Sequence, residues 1–373
     1  MMMKRIVAGL FFAALLLYNG HARAETAARS AILIEMETGR VLYAQNAREP
    51  LPMASTTKIM TALLAIEKGD LNAIVTAGPN AFGVPGTSIY LSEGEQLTLE
   101  QMLYGLMLAS GNDAAVAIAE HIGGTAEDFC RMMTERAAEL GCKDTVFLTP
   151  HGLPAEGHHT TARDLALIAR EAMKNPQFRQ IVSTQRASIP WPGRDYDRVL
   201  TNKNKLLSAY PGALGVKTGY TKAAGRCLVF AAERDGMTLL GVVLNCPDWF
   251  QEAAALLDLG FQEWQMVTIL NAGEAVRSLP VINGVRDSVT VVTAADVAAP
   301  VRVDAWPDLI IDLPDSLPSG IVLGQQVGSV SLLDGGETLI TVPLIAAEAV
   351  PERAFRFSLE RLLNAWPVAV GEP

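Results

Sequence analysis

Strand-like segments stand at both ends of a long helical stretch, and this arrangement constrains the fold more than any other feature of the chain. Near the start, Ala31-Ile32-Leu33-Ile34 and Val41-Leu42-Tyr43 are two short apolar runs separated by the turn signal Glu37-Thr38-Gly39. Far downstream, Val216–Thr218, Cys227–Ala232 and Thr238–Asn245 read as further strands, the last two joined by Arg234-Asp235-Gly236. Between these sets the period changes from two to that of a helix. Residues 54–67 place Ile59, Leu63 and Ile66 on one face, and Gly69 ends the run. Thr98-Leu99-Glu100-Gln101 is a capping box that opens a helix to about Ala109. After a break at Ser110-Gly111-Asn112, a second helix runs to Ile122 and stops at Gly123-Gly124. Thr125 opens a third, closed by Gly141, and Thr161-Ala162-Arg163-Asp164 reads as another capping box before a helix to about Lys174. Residues 71–92 and 148–160 are irregular, and an apolar-periodic helix covers Trp249–Phe261. Helices around strands drawn from both ends of the chain predict an α+β domain with a mainly antiparallel sheet.

The texture shifts near residue 268. Val289–Val292, Leu309–Ile311, Ile321–Leu323 and Val330–Leu332 are β-like and recur between Gly, Asp and Pro, as in a small all-β domain. Residues 351–367 differ again. Phe355, Leu359, Leu362, Leu363 and Trp366 share one helical face, with Arg353, Arg356, Glu360, Arg361 and Asn364 opposite and Phe357 out of pattern. Such a segment fits an amphipathic helix lying on a membrane surface. The alternative is a terminal helix docked on the protein's own body or on a partner.

At the other terminus, Lys4 and Arg5 precede the apolar run Ile6–Leu17, and Ala22-Arg23-Ala24 offers a small-x-small cleavage pattern. The expectation is an exported chain cleaved after Ala24; an uncleaved anchor is the alternative, though the run is short for a span of about 20 residues. Cleavage removes three basic residues and no acid, which takes the formal charge from -10 to -13. An acidic balance argues against nucleic acid as a partner, because phosphate binding needs clustered Lys and Arg. With 50% hydrophobic and 19% charged residues, the chain can bury a sizeable core. Its four cysteines, Cys130, Cys142, Cys227 and Cys246, are too few for a disulfide scaffold. Cys227 and Cys246 flank a hairpin at a spacing that allows a bond, and free buried thiols are an equal alternative.

Three short elements carry chemistry. Ser55-Thr56-Thr57-Lys58 is SxxK at a helix start, Ser110-Gly111-Asn112 is SxN at an inter-helix break, and Lys217-Thr218-Gly219 is KTG on a strand. SxxK alone means little, since about one is expected by chance in a chain of ordinary composition. Alone, Ser55 reads as a helix cap and Lys58 as a solvated helix residue. The ordered set is far more specific. A serine at a helix start meets free N–H groups that favour negative charge. A lysine one turn on can take the serine proton only when neutral, which burial or a second cation would enforce. Lys217 is the candidate second cation.

The sequence here resembles the serine penicillin-recognising enzymes, and among them the low-molecular-mass D-alanyl-D-alanine carboxypeptidases. Residues 52–61, 106–115, 150–154, 160–166 and 215–221 are each similar to family segments, and coverage runs from about Ala28 to Phe261. The resemblance implies a helical cluster plus a mainly antiparallel five-stranded sheet, the penicillin-binding/β-lactamase-like transpeptidase fold, followed by the small all-β domain. It implies residues 1–24 as signal peptide, 25–265 as catalytic domain, 266–349 as β-rich domain and 350–373 as an amphipathic segment. The implied nucleophile is Ser55, with Lys58 as base and Ser110 as proton relay. Asn112, Lys217, Thr218 and Gly219 would bind substrate, and the backbone N–H groups of Ser55 and Tyr220 would form the oxyanion hole. The family more often has His where Tyr220 stands, so the pH profile is open to change. Peptidoglycan stem peptides are the implied substrates, β-lactams the inhibitors, and neither metal nor organic cofactor is required.

A serine β-lactamase would share the motifs but lacks a clear Glu-x-x-x-Asn equivalent here. A DD-transpeptidase or endopeptidase on the same site remains an alternative. His151, Glu156, His158 and His159 crowd one loop, but their spacing fits no usual zinc motif. Asp164 reads as a capping residue, or by resemblance as one that positions the active-site loop. Arg194 and Arg226 are candidates to meet a substrate carboxylate.

Overall fold

A computed structural model describes residues 26–353; the expected signal peptide and nearly all of the amphipathic segment lie outside them. The strands from both ends of the first region meet in one sheet. Its order is Val41–Gln45, Ser30–Glu35, Met237–Leu244, Gly225–Arg234 and Ala213–Thr221, and every neighbour is antiparallel. The first hairpin closes as its turn signal requires: the Glu35 carboxylate accepts from the N–H groups of Glu37 and Thr38 and from the Thr38 hydroxyl.

The sheet buries both faces, which is why its inner strands are almost continuously apolar rather than alternating. Ile32, Ile34, Cys227, Val229, Ala231, Leu240 and Val242 join a core with the helices of residues 58–183. Leu33, Leu228, Phe230, Leu239 and Val243 face the other way, onto helix Trp249–Glu263. Cys227 belongs to the first core and Cys246 to the second, so the sheet separates the pair that the sequence left open to bonding; all four cysteines are free thiols.

The helical boundaries follow the capping signals. Thr98 and Gln101 make the reciprocal capping box at the start of Leu99–Met107. Helix Asn112–Gly123 ends at Gly124, whose φ of +78° suits glycine. Thr161 caps Ala162–Lys174 by accepting from Asp164 N, yet the Asp164 carboxylate does not return the bond. It accepts instead from Lys143 N, Asp144 N and the Thr145 hydroxyl, tying helix 162–174 to the segment that leads to the 148–160 loop. Hairpin Arg186–Ile189/Arg198–Thr201 is fastened to the loop preceding residue 96 by the buried Arg198–Glu95 ion pair at 2.9 Å.

Beyond helix 249–263 the chain is all β. Trp264–Leu270 pairs with Val297–Arg302, and six strands form a second sheet around Leu279, Val291, Val330, Leu332 and Leu344. Residues 321–323 differ from their reading as a strand: only Ile321 bridges, to Val350, while Val322 and Leu323 are exposed on a turn. Arg40 reaches across from the first hairpin, donating to Pro300 O, pairing with Asp334 and lying 4.6 Å from the Trp264 ring. No helix among the described residues is long and apolar enough to cross a membrane.

Candidate active site

Ser55 sits in a 3-10 turn, Ala54–Thr57, that runs into the α-helix Lys58–Lys68. The sequence reading had one α-helix from residue 54. The difference matters, because in a 3-10 turn residues i and i+3 eclipse. Lys58 is thereby stacked over Ser55, with Nζ 3.0 Å from Oγ. Ser55 is not the helix cap. The preceding Ala54 has φ +48°, a left-handed conformation that costs a non-glycine residue about 1–2 kcal/mol.

Lys58 is completely buried. Its Nζ also donates to Asn112 Oδ1 at 2.7 Å and to His151 O at 2.8 Å. Desolvation holds its pKa well below the ordinary lysine value, the positive charges of Lys217 and Lys203 add to the effect, and Asp113 opposes it. Lys217, on strand Ala213–Thr221, is also buried and donates to Thr218 O at 2.9 Å. Burial, then the charge of Lys203, brings it down to about 7.

Both ends of the Asn112 amide meet protein groups. Its Oδ1 accepts from Lys58 and its Nδ2 donates to Pro85 O at 2.6 Å, so both ends of the amide are spent on the protein. In this conformation it ties the lysine to the 85–87 segment. Ser110 is buried with φ +64°, and its carbonyl accepts from the Thr87 hydroxyl. Its own hydroxyl makes no hydrogen bond among the described residues and lines the cleft near Ser55.

Gly219 has a reason the sequence did not supply. A Cβ there would stand 2.9 Å from Ser55 N, 3.1 Å from Thr56 N and 3.2 Å from Ala54 Cβ. Its missing side chain lets the strand press against the Ser55 turn. Ser55, Ser110, Asn112, Thr218, Gly219 and Tyr220 share the wall of one cleft of about 710 Å³, with Lys58 and Lys217 buried behind it.

Several supporting residues carried no motif. Lys203 lines the cleft and follows strand Arg198–Thr201. Buried Asp113 accepts from Ser88 Oγ and from the N–H groups of Ile89 and Leu91, fixing the loop above Asn112. An Asp in a first helical turn reads only as a dipole partner in sequence.

The histidine-rich loop is a clamp on the segment that carries Ser55. Leu148 N donates to His158 Nδ1 at 3.0 Å, which leaves the proton on Nε2, 3.0 Å from Thr57 Oγ1. Thr61 Oγ1 donates to Pro150 O at 2.6 Å, and His151 Nδ1 accepts from Leu153 N. Burial pushes His158 and His151 from 6.5 to about 4, with the charge of Lys58 adding to the effect on His151. In an unfolded chain both would protonate near 6.5. Stability is therefore complete above that pH and falls as pH drops from about 6.5 towards 4, because the unfolded state binds the extra protons. A thermal melt repeated from pH 7.5 to 4.5 is expected to show this fall, and His158→Gln to flatten part of it.

A serine bonded to a buried lysine, at the foot of a cleft edged by an antiparallel strand, defines a serine-type acyl-transfer hydrolase. Residues 18–248 match the family described as D-alanyl-D-alanine carboxypeptidase, and 264–352 match the penicillin-binding protein 5 C-terminal domain. The D-alanyl-D-alanine carboxypeptidase DacF of Bacillus subtilis is 33% identical over 98% of this chain and 99% of its own length. DacA of Escherichia coli is 31% identical over 88% of this chain and 85% of its own. Penicillin-binding protein 5 from Haemophilus influenzae superposes with a TM-score of 0.75 at 27% identity, covering 88% of this chain and 98% of that one. The chain belongs to the D-alanyl-D-alanine carboxypeptidase family.

Proposed function

We propose that Ser55 is the acyl-enzyme nucleophile of this carboxypeptidase, and that it removes the terminal D-Ala from peptidoglycan stem peptides. The observation that carries this reading is the coordination of Lys58. A neutral amine has two N–H groups and one lone pair. Asn112 Oδ1 and His151 O take the two N–H groups, so the lone pair is left for the Ser55 hydroxyl 3.0 Å away. Burial beside two other lysines favours that neutral form. Ser55 Oγ then attacks the carbonyl between the terminal D-alanines as Lys58 takes its proton. The N–H groups of Ser55 and Tyr220 stabilise the oxyanion. Ser110, with its hydroxyl uncommitted in the cleft wall, passes the proton to the leaving amine. Water then hydrolyses the ester. Thr218 and Lys217 address the substrate's carboxylate side, and Gly219 keeps strand and nucleophile in contact.

β-Lactams are expected to acylate the same serine and leave slowly. Incubation with a labelled penicillin should give one adduct, located by mass spectrometry on the peptide containing Ser55. The same preparation should release D-Ala from a D-Ala-D-Ala peptide, with or without EDTA. An adduct elsewhere, or loss of activity in EDTA, would sink the assignment.

The setting fits an extracytoplasmic enzyme. The basic n-region, apolar run and Ala22-Arg23-Ala24 support export with cleavage after Ala24. The proposed divisions are 25–265 for catalysis and 266–349 for the β-rich domain, with the amphipathic segment 350–373 resting on the outer face of a membrane.

A further inference from the structure

The Ser55 cleft takes the reacting end of a stem peptide, but in peptidoglycan that peptide hangs from a polymer of N-acetylated amino sugars. A site for such a polymer needs flat apolar surface for the C–H side of a pyranose ring. It also needs donors and acceptors at the rim for the hydroxyl and acetamido groups. Trp and Tyr meet the first need, because each joins an apolar body to a polar tip.

The tip of hairpin Arg186–Ile189/Arg198–Thr201 has this make-up. In its connecting loop, Trp191, Arg194, Asp195, Tyr196 and Asp197 line a cavity of about 520 Å³. The Trp191 and Tyr196 rings stand at 84° with centroids 5.8 Å apart, so two aromatic surfaces form a corner. Tyr196 is 56% exposed. Arg194, Asp195 and Asp197 are exposed around it and supply both donors and acceptors. Charges of both signs at the rim suit a largely neutral sugar better than an anionic polymer. Arg194, the sequence candidate for a substrate carboxylate, lines this cavity and not the Ser55 cleft. The corner is held from beneath. Buried Arg198 pairs with Glu95, and its guanidinium lies 4.7 Å from the Trp191 ring centroid. It also donates to Pro190 O and Tyr90 O, each at 3.4 Å. Rings fixed by a buried ion pair leave little order to be imposed when a ligand arrives. The hairpin is also continuous with the cleft. Lys203, which lines the cleft, follows Arg198 by five residues, at most about 18 Å of chain.

We propose that the 190–197 loop is a carbohydrate-binding site that holds the amino-sugar strand of peptidoglycan while a stem peptide of that strand enters the Ser55 cleft. It rests on the Ser55 cleft acting on such stem peptides. Holding the repeating strand makes entry of a stem an intramolecular event and raises its effective concentration at Ser55. A polymeric substrate thereby gains over a free peptide of the same sequence with no new contact at the reacting atoms.

The test uses three probes: glycan strands stripped of their stem peptides, intact uncross-linked peptidoglycan strands, and a free peptide ending in D-Ala-D-Ala. In isothermal titration, wild type is expected to bind the stripped strands and not a glucose polymer of similar length. Tyr196→Ala should weaken that binding about 3–10-fold, as loss of one aromatic contact predicts. Trp191→Ala should weaken it at least as far. That variant also uncovers Arg198, so Tyr196→Ala carries the test if Trp191→Ala does not fold. Tyr196→Ala should lower kcat/KM on intact strands by a similar factor, through KM, and stay within about twofold of wild type on the free peptide. Equal losses on strands and free peptide would mean that the loop only supports the cleft, and would overturn the proposal. So would a wild type that ignores the stripped strands or binds the glucose polymer as well. A wild type that binds stripped strands but releases no D-Ala from either substrate would uphold the carbohydrate site and overturn the carboxypeptidase reading of the cleft.

Discussion

Lys58→Arg is expected to lower D-Ala release and penicillin acylation by about four orders of magnitude while the protein still folds, as follows from removing a general base. Arginine stays protonated and has no lone pair to offer the serine. It removes the base and sets a fixed positive charge beside Lys217 and Lys203, where the neutral amine stood. Lys58→Met, with no charge and a similar stem, should fall equally far, so agreement between the two separates base function from packing. Circular dichroism melts would exclude unfolding. Activity of Lys58→Arg within tenfold of wild type would show that the Ser55 proton goes elsewhere. In wild type, the acidic limb of the pH–rate profile should lie well below the ordinary lysine range, because desolvation and the neighbouring lysines favour the neutral amine.

Gly152→Ala is expected to be the most damaging single methyl group in the catalytic domain. Gly152 has φ +88°, and a Cβ would sit 1.9 Å from Ala54 O and 2.4 Å from Ala54 C. Those atoms are backbone of the residue before the nucleophile and cannot swing aside. Either the 150–154 segment or the Ser55 turn must move, and a shift of about 1 Å at the reacting atoms costs on the order of 100-fold in rate. Gly157→Ala is the control. Its φ is also +88°, but its Cβ would meet only Leu148 Cδ1 at 3.5 Å. It should lose about 1–2 kcal/mol of stability from the left-handed backbone and keep its acylation rate. Equal effects of the two substitutions would show that backbone conformation, not the contact with Ala54, is what matters at residue 152.

Much of the architecture could be read from local chemistry. Thr98 and Gln101, Thr125, and Gly124 announced helix ends because capping is satisfied within a few residues. The Glu37-Thr38-Gly39 turn likewise closes on its own residues. The misreadings came where partners are distant. Asp164 looked like half of a capping box, yet Lys143, Asp144 and Thr145 claim its carboxylate. Ile321–Leu323 has strand composition, but β composition reports burial on a pleated surface, and only Ile321 found a partner there.

For the site, the sequence by itself determined which groups are present: Ser55, Lys58, Ser110, Asn112, Lys217, Thr218 and Gly219, in the order and local settings that acyl transfer requires. It determined this because motif spacing is a short-range property. Tertiary structure alone decided how those groups are disposed. It spent the Asn112 amide on Lys58 and Pro85, brought Lys203 near two other lysines, and pressed Gly219 and Gly152 against the Ser55 turn from separate segments. Burial and the field of remote charges hold Lys58 and Lys217 below the ordinary lysine range. Neither quantity exists until chain segments far apart in sequence are packed together.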